Sequence, residues 1–362
     1  MKLRKKNSFR NWIAKNKILV MIVIGTLLLI GGGVTAWLIT GNDSGLWEII
    51  SREREEEEEE EPEPIVWHAA LTGRVVETEA EVNSVVTAIA IENSPQARPQ
   101  SGLKEAGVVF ESVAEGGITR FLAFYQDDKP AMIGPVRSLR TCYLDWVAGF
   151  DAVILHYGGS AAALNRVRNG PYRRLDEMVQ PRTTWRSADR WAPHNVYTNF
   201  ERIDGTNRDL GWEGSNFVGW ERKDAEVAEE LNATHVDFRI SHGHLYNSTF
   251  NWNGDYGVYF RSQGGAPHMD REQGHIAPNV VIAIIVDQRT VMEDGWRTLI
   301  GTTGAGYAYV FQDGTVTPAR WRKQNREAMI EFFDREGVVV PLNRGQVWIT
   351  ALPSDERRVT WQ

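Results

Sequence analysis

Residues 18–40 (ILVMIVIGTLLLIGGGVTAWLIT) carry no charge and split the chain into a short head and a long body. As a helix this run would span about 34 Å, enough to cross the hydrocarbon core of a bilayer. The seventeen residues before it hold Lys2, Arg4, Lys5, Lys6, Arg10, Lys15 and Lys17 and no acid. That asymmetry predicts a transmembrane helix with a cytoplasmic N-terminus and everything after it outside. The apolar run is longer than the core of a cleaved leader and no small-x-small site follows it. An uncleaved single-pass anchor is therefore expected. No cysteine lies near its end, so it lacks the residue that a lipid-modified anchor needs.

Beyond the helix, residues 52–64 (REREEEEEEEPEP) hold nine acids and two arginines. Mutual repulsion and proline stiffness predict an extended, solvated spacer, and residues 41–80 are expected to be a disordered linker. The formal charge of the whole chain is -8. The chain beyond residue 64 is itself mildly acidic, which excludes a general nucleic-acid binder with its basic stripe. The single cysteine, Cys142, allows no intrachain disulfide and reads as a small buried hydrophobe.

The body is expected to be α+β: a mixed α/β domain over residues 81–234, then a β-rich domain over 235–362. In the first, VVTAIAI (Val85–Ile91) reads as a buried strand. Val108–Ala114 and Ile118–Gln126 flank Glu115-Gly116-Gly117 and read as a hairpin. The spacing of Leu139, Cys142, Tyr143, Trp146 and Val147 predicts a helix starting near Ser138. DAVILHY (Asp151–Tyr157) reads as a strand, followed by a glycine turn and a helix with Ser160 as its N-cap. Lys223–Ala233 is expected to form a short polar helix at the boundary. In the second domain, Thr249–Trp252 and Tyr256–Arg261 form a hairpin, and VVIAIIV (Val280–Val286) is a buried strand. Tyr307–Gln312 and Thr315–Trp321 flank Asp313-Gly314, a strong hairpin signal. Val338–Leu342 and Gln346–Ala351 read as a closing pair.

Candidate functional residues gather near turns and element ends, where a rigid scaffold presents its chemistry. Arg120 shares a strand face with Ile118, Leu122 and Phe124, so it needs a partner. Glu111, Glu115 or a ligand anion could supply one. Arg137 and Arg140 flank Ser138 at the predicted helix start. Cations sit at the wrong end of the macrodipole there, which makes sense if an anion is held between them, or if distant acids pair with them. His156, at the end of its strand, and Ser160, at the next helix start, frame a glycine turn suited to an anion. Asn93 and Arg98 lie in the polar loop after the first strand, and His194 in the turn-rich WAPHNVYTN. Neither a P-loop nor a dinucleotide fingerprint is present, so no nucleotide is implied, and no cofactor is expected. His242-Gly243-His244 with Asp270 meets no accepted ligand spacing, so no metal is expected.

Read together, ARPQSGL (Ala97–Leu103), EGGITRFLAF (Glu115–Phe124), GPVRSLR (Gly134–Arg140), HYGGS (His156–Ser160) and PHN (Pro193–Asn195) resemble the YerB-like family. The later half is similar to that family's second domain through GGAPH (Gly264–His268), GAGYAYVFQDG (Gly304–Gly314) and NRGQVWI (Asn343–Ile349). The resemblance covers roughly residues 85–353. It implies a bacterial, membrane-anchored, extracytoplasmic two-domain protein, and it implies no reaction. Relatives are often anchored through a lipidated cysteine, whereas this chain would use its helix.

Three functions are consistent with these residues. The first is a binding module for an anionic envelope ligand, such as a phosphorylated sugar, a lipid-linked precursor or a wall polymer. It would use Asn93, Arg98, Glu111, Arg120, Arg137, Ser138, Arg140, His156, Ser160 and His194. The second is a hydrolase or transferase acting on envelope glycans, with Glu115 or His156 as acid or base. The third is a structural or protein-interaction role for the β-rich domain.

Overall fold

The structure is a computed structural model that describes residues 65–291, 297–354 and 358–362, with Asn16 alone before them. The basic tail, the segment 18–40 and most of the acidic linker lie outside the described residues. Among the described residues no helix is long and apolar enough to cross a membrane. Residues 66–80, expected to belong to the linker, are folded instead. Trp67–His68 pairs with Val75–Val76, and buried Leu71 donates its backbone N–H to Gln126 Oε1 at 2.8 Å.

Val66–Gln362 forms one compact unit, mixed α+β and dominated by strands. Its first strands are β1 (Thr87–Glu92), β2 (Val108–Glu115) and β3 (Ile118–Tyr125). Then come α1 (Thr141–Gly149), β4 (Val153–His156), α2 (Ala161–Asn169), β5 (Arg174–Asp176) and α3 (Phe200–Asp209). The later half holds β6 (His235–Phe238), β7 (Ser248–Asn253), β8 (Val258–Gln263) and β9 (Ala266–Pro267). It continues with β10 (Val280–Val286), β11 (Gln288–Val291), β12 (Arg297–Ile300), β13 (Gly304–Gln312) and β14 (Thr315–Lys323). The last are β15 (Glu331–Phe333), β16 (Val347–Pro353) and β17 (Val359–Trp361).

One large sheet runs β15-β14-β13-β10-β16-β2-β3-β1-β4-β5, with the β11–β12 ribbon joined to β2 at Arg297 and Glu115. Strands from either side of residue 234 meet inside it, because β16 lies parallel to both β10 and β2. Its inner strands read as unbroken apolar runs because both faces are covered. Along β10, Val280, Ile282 and Ile284 enter one core while Val281 and Ala283 enter the other. On the first face lie α1 and α2, with Trp146 stacked on Phe110 at 4.6 Å between ring centroids. On the second lie α3 and a five-stranded sheet, β9-β8-β7-β6-β17, which contributes Phe238, Phe250 and Tyr259. Truncating a ring such as Phe110 would cost about 3–5 kcal/mol, so the helical face is firmly anchored.

Two tight turns set the strand ends. Gly116 and Gly117 both have positive φ (54° and 77°), as do Asp313 and Gly314 (57° and 72°). Each two-residue loop thus follows the twist of its hairpin at positions that side chains rarely tolerate. The first fixes where Glu115 leaves the sheet.

Several elements depart from expectation. The first helix begins at Thr141 rather than near Ser138, with Arg140 as its N-cap. Lys223–Ala233 forms no helix. Arg222–Lys223 pairs with Leu342–Asn343, and the N–H groups of Asn232 and Ala233 bond to Gly314 O. Tertiary partners override the modest helix propensity of that segment. Val338–Leu342 and Gln346–Ala351 do not close on each other. Residues 347–353 are drawn into the middle of the large sheet, where both of their faces are buried.

Candidate functional site

The helical face of the sheet carries a charged strip at the end marked by the Gly116-Gly117 turn. Glu115 ends β2, Arg120 lies on β3, Arg140 caps α1 and Arg297 opens β12. All three guanidiniums converge on one carboxylate: Arg120 Nη2 is 2.5 Å from Glu115 Oε1, and Arg140 and Arg297 both bond to Oε2. Burial alone would raise the Glu115 pKa. The Arg120 and Arg140 guanidiniums, with Arg297, override it and hold the carboxyl down at about 2. Burial and the nearby Arg120 lower the Arg140 guanidinium to about 10. These three guanidiniums share the Glu115 carboxylate. Arg120 and Arg140 are each 5% exposed. Among the described residues, Arg120 Nε and Nη1 and Arg140 Nε are buried with no protein hydrogen-bond partner. Buried orphans of this kind are uncommon in folded proteins and mark a place where polar capacity is unspent. Arg140, as N-cap, offers the first turn of α1 no side-chain acceptor.

The strip continues onto β1. Glu92 pairs in register with Arg120 on the same face. Its two carboxylate oxygens hold different groups. Arg137 Nε lies 3.2 Å from Oε2, while His194 Nδ1 lies 2.9 Å from Oε1, which also accepts from Ser94 Oγ at 2.8 Å. The backbone N–H of Arg137 donates to Ala90 O at 2.7 Å, pinning the residue beside β1. Since ionised Glu92 only accepts, the neutral His194 carries its proton on Nδ1. Among the described residues, its Nε2 and the two Nη groups of Arg137 have no protein partner, and none is among the buried unpartnered polar atoms. They form the outward edge of the strip. The Ser138 hydroxyl, half-buried, flanks the Gly158 turn.

Asn93, Arg98 and Glu111 have gone elsewhere. Glu111 points through the other face of the sheet and pairs with Arg261 of β8 at 2.8 Å, both side chains fully buried. Thr119 and Trp348 also donate to Glu111, and the Arg261 guanidinium lies 4.5 Å from the Trp348 ring centroid. Arg261 donates to His268 Nδ1, and His268 Nε2 is 3.0 Å from Gln100 Oε1. Burial, then the adjacent Arg261, pushes the His268 pKa well below its ordinary value, so this imidazole is neutral with its proton on Nε2. Gln100 bonds to Asn93 Oδ1 at 3.1 Å, and Arg98 bonds to Asn93 and to Leu245 O at 2.9 Å. This network ties the two sheets together.

The glycine turn after β4 already holds an acid. Gly158 N–H donates to Glu177 Oε1 at 2.9 Å, and Ser160 Oγ accepts from Ala163 N as the N-cap of α2. His156 Nδ1 is 2.9 Å from Gly158 O, its Nε2 is buried without a partner, and burial lowers its pKa. Glu115 and His156 share no partner. An acid held ionised down to about pH 2 has no proton to give near neutrality, and a sealed imidazole has no route to substrate. Glu115 and His156 are therefore held apart, each by its own partners.

Among the described residues, no group of three His, Cys, Asp or Glu side chains is placed to hold a metal. A depression of about 310 Å³ beside the Gly116-Gly117 turn is lined by Ser241, His242, Arg289, Thr298 and Arg358 among others. It contains none of the sequence-derived candidates.

Five residues important to these arrangements escaped the sequence reading: Glu92, Ser94, Glu177, Arg261 and Arg297. Glu92 was within reach, since alternation along TAIAIE puts it on the face of Ala88 and Ala90. Arg261 alternates with Tyr259 toward the core of β8 in the same way. Nothing local marks Arg297 or Glu177, whose partners lie on other elements.

Comparison with known proteins places the halves separately. Residues 71–213 match the N-terminal domain of a protein family of unknown function, DUF3048, and residues 236–349 match its C-terminal domain. A Bacillus subtilis (strain 168) protein named "Putative lipoprotein YerB" is 30% identical over 290 residues, covering 79% of this chain and 86% of that protein. The crystal structure of YerB from Bacillus subtilis superimposes with a TM-score of 0.73 at 27% identity, covering 82% of this chain and 99% of that one.

Proposed function

Because this chain belongs to the YerB-like family, whose two domains are both of unknown function, we propose that it is a membrane-anchored extracytoplasmic protein binding an anionic envelope ligand. The ligand would be a phosphorylated sugar, a lipid-linked precursor or a wall polymer. One observation carries this: Arg137 and His194, both partly exposed, lie against the same Glu92 carboxylate, on a strip that also gathers Arg120 and Arg140 around Glu115. Arg137 would touch the anion, and His194 would line the site beside it. Arg120, Arg140 and Arg297 would supply the positive field behind them, stronger there than in water because the groups are largely buried. Anchoring rests on residues 18–40 and on the relative's description as a lipoprotein. The sole cysteine is buried within α1, where burial pushes its thiol up to about 12, so it is not the anchor.

Calorimetric titration of the full-length chain in detergent with phosphorylated sugars and wall-polymer fragments tests the proposal. Saturable binding is expected, weakened by salt and lost in the Arg137→Ala/Arg140→Ala double variant. Equal behaviour of wild type and double variant would refute it.

A further inference from the structure

The outward edge of the strip is chemically mixed. Arg137 offers only donors. His194 is different, because Glu92 accepts its Nδ1–H and leaves Nε2 with a lone pair. The two side chains lie against the two oxygens of one carboxylate, His194 by a hydrogen bond and Arg137 by an ion pair, so both line the same edge of the strip. Ser94 Oγ donates to the same Glu92 oxygen, which further fixes the acceptor role of that carboxylate. A bare anion would satisfy Arg137 but meet a lone pair at His194. A ligand that places a hydroxyl next to its anionic group would satisfy both.

Resting on the anion-binding proposal above, we infer that the site selects a hydroxylated phosphate, a polyol or sugar phosphate, over a simple phosphate. The phosphate oxygens pair with the Arg137 guanidinium, and a hydroxyl one or two carbons away donates to His194 Nε2. Such a group occurs free, within a polymer of polyol phosphates, or as a lipid headgroup. Glu92 is a positioning residue: it sets the tautomer and does not touch the ligand.

The full-length chain would be titrated at pH 8 with inorganic phosphate, methyl phosphate and sn-glycerol 3-phosphate. Glycerol 3-phosphate should bind about five- to tenfold more tightly than methyl phosphate, the worth of one net hydrogen bond. His194→Phe should erase that ratio, bringing the two esters to equal affinity, and His194→Gln, whose amide oxygen can accept, should restore part of it. Equal binding of the two esters by wild type would overturn the selectivity and leave anion binding standing. Absence of binding by all three would overturn both. Parallel titrations with a short poly(glycerol phosphate) and with phosphatidylglycerol vesicles separate the sources. Tighter binding to the polymer assigns a polymer ligand, and tighter binding to vesicles assigns a headgroup. A glycerol 3-phosphate affinity that neither exceeds assigns a free metabolite.

Discussion

The large sheet carries a glutamate–arginine system on each of its faces, and the two are built to opposite ends. On the inner face Glu111 meets Arg261 one to one, both sealed, with a neutral His268 and an aromatic plane completing the shell. On the helical face Glu115 meets three arginines and Glu92 meets a fourth, with exposed edges at Arg137 and His194. The first is charge-balanced, and its side chains are occupied in joining two sheets. The second has a surplus of donors: among the described residues, Arg120 Nε and Nη1 and Arg140 Nε are buried with no partner. Residue type does not separate the two systems; burial and access do.

The balanced face should give the largest response to mutation. Arg261→Ala leaves Glu111 buried and uncompensated, and should cost about 3–5 kcal/mol in denaturant unfolding. Replacing both partners with apolar groups, Glu111→Leu with Arg261→Met, should cost less than that single change. A double variant less stable than Arg261→Ala would show that the network contributes more than charge compensation. The surplus face should respond in binding rather than in folding. Arg137→Ala should weaken phosphate-ester affinity about tenfold or more, the range of a charge-assisted contact, while shifting the melting temperature little. A large loss of stability in Arg137→Ala would mean that this face too is structural.

Much of the fold was legible from local pattern. The β2–β3 and β13–β14 hairpins follow from alternation around two-residue turns, and β10 from its β-branched run. The placement of β16 was not legible. VWITALP is as apolar as any buried strand, and only the sheet order reveals that it joins strands far from it in sequence. The site divided the same way. That Arg120 needs an acid was readable from its apolar face, and Glu115 was one of the two acids offered. Arg137 and Arg140 were expected around a shared ligand, but they lie against different glutamates, Glu92 and Glu115. The partners that separate them come from strand ends and a distant ribbon. Local electrostatics can show that a charge needs compensation, but not which element supplies it.

Acid should separate the two faces further. The folded-state pKa of Glu115 is depressed from 4.5 to about 2. Its contribution is therefore fully present above pH 4.5 and is lost as pH falls toward 2. Discounted for its partial exposure, the contribution is about 1–2 kcal/mol. Glu115→Gln should lower stability at pH 7 by a similar amount and flatten the acid limb of the stability profile. A variant whose acid limb matches wild type would place the titrating group elsewhere.

The smallest effect tests whether the glycine turn belongs with the surplus face at all. From sequence alone, Ser160 and the Gly158 N–H looked like part of an anion cradle. In the fold, Glu177 takes the Gly158 N–H, and the Ser160 hydroxyl caps α2 through Ala163 N. Ser160→Ala should then cost about 1 kcal/mol of stability, the worth of an N-cap, and leave phosphate-ester affinity unchanged. Glu177→Gln should likewise leave affinity unchanged, since it removes charge from a turn that the ligand does not reach. If either substitution alters affinity as strongly as Arg137→Ala, the ligand spans both the arginine strip and the glycine turn, and Glu177 is a stand-in that the ligand displaces.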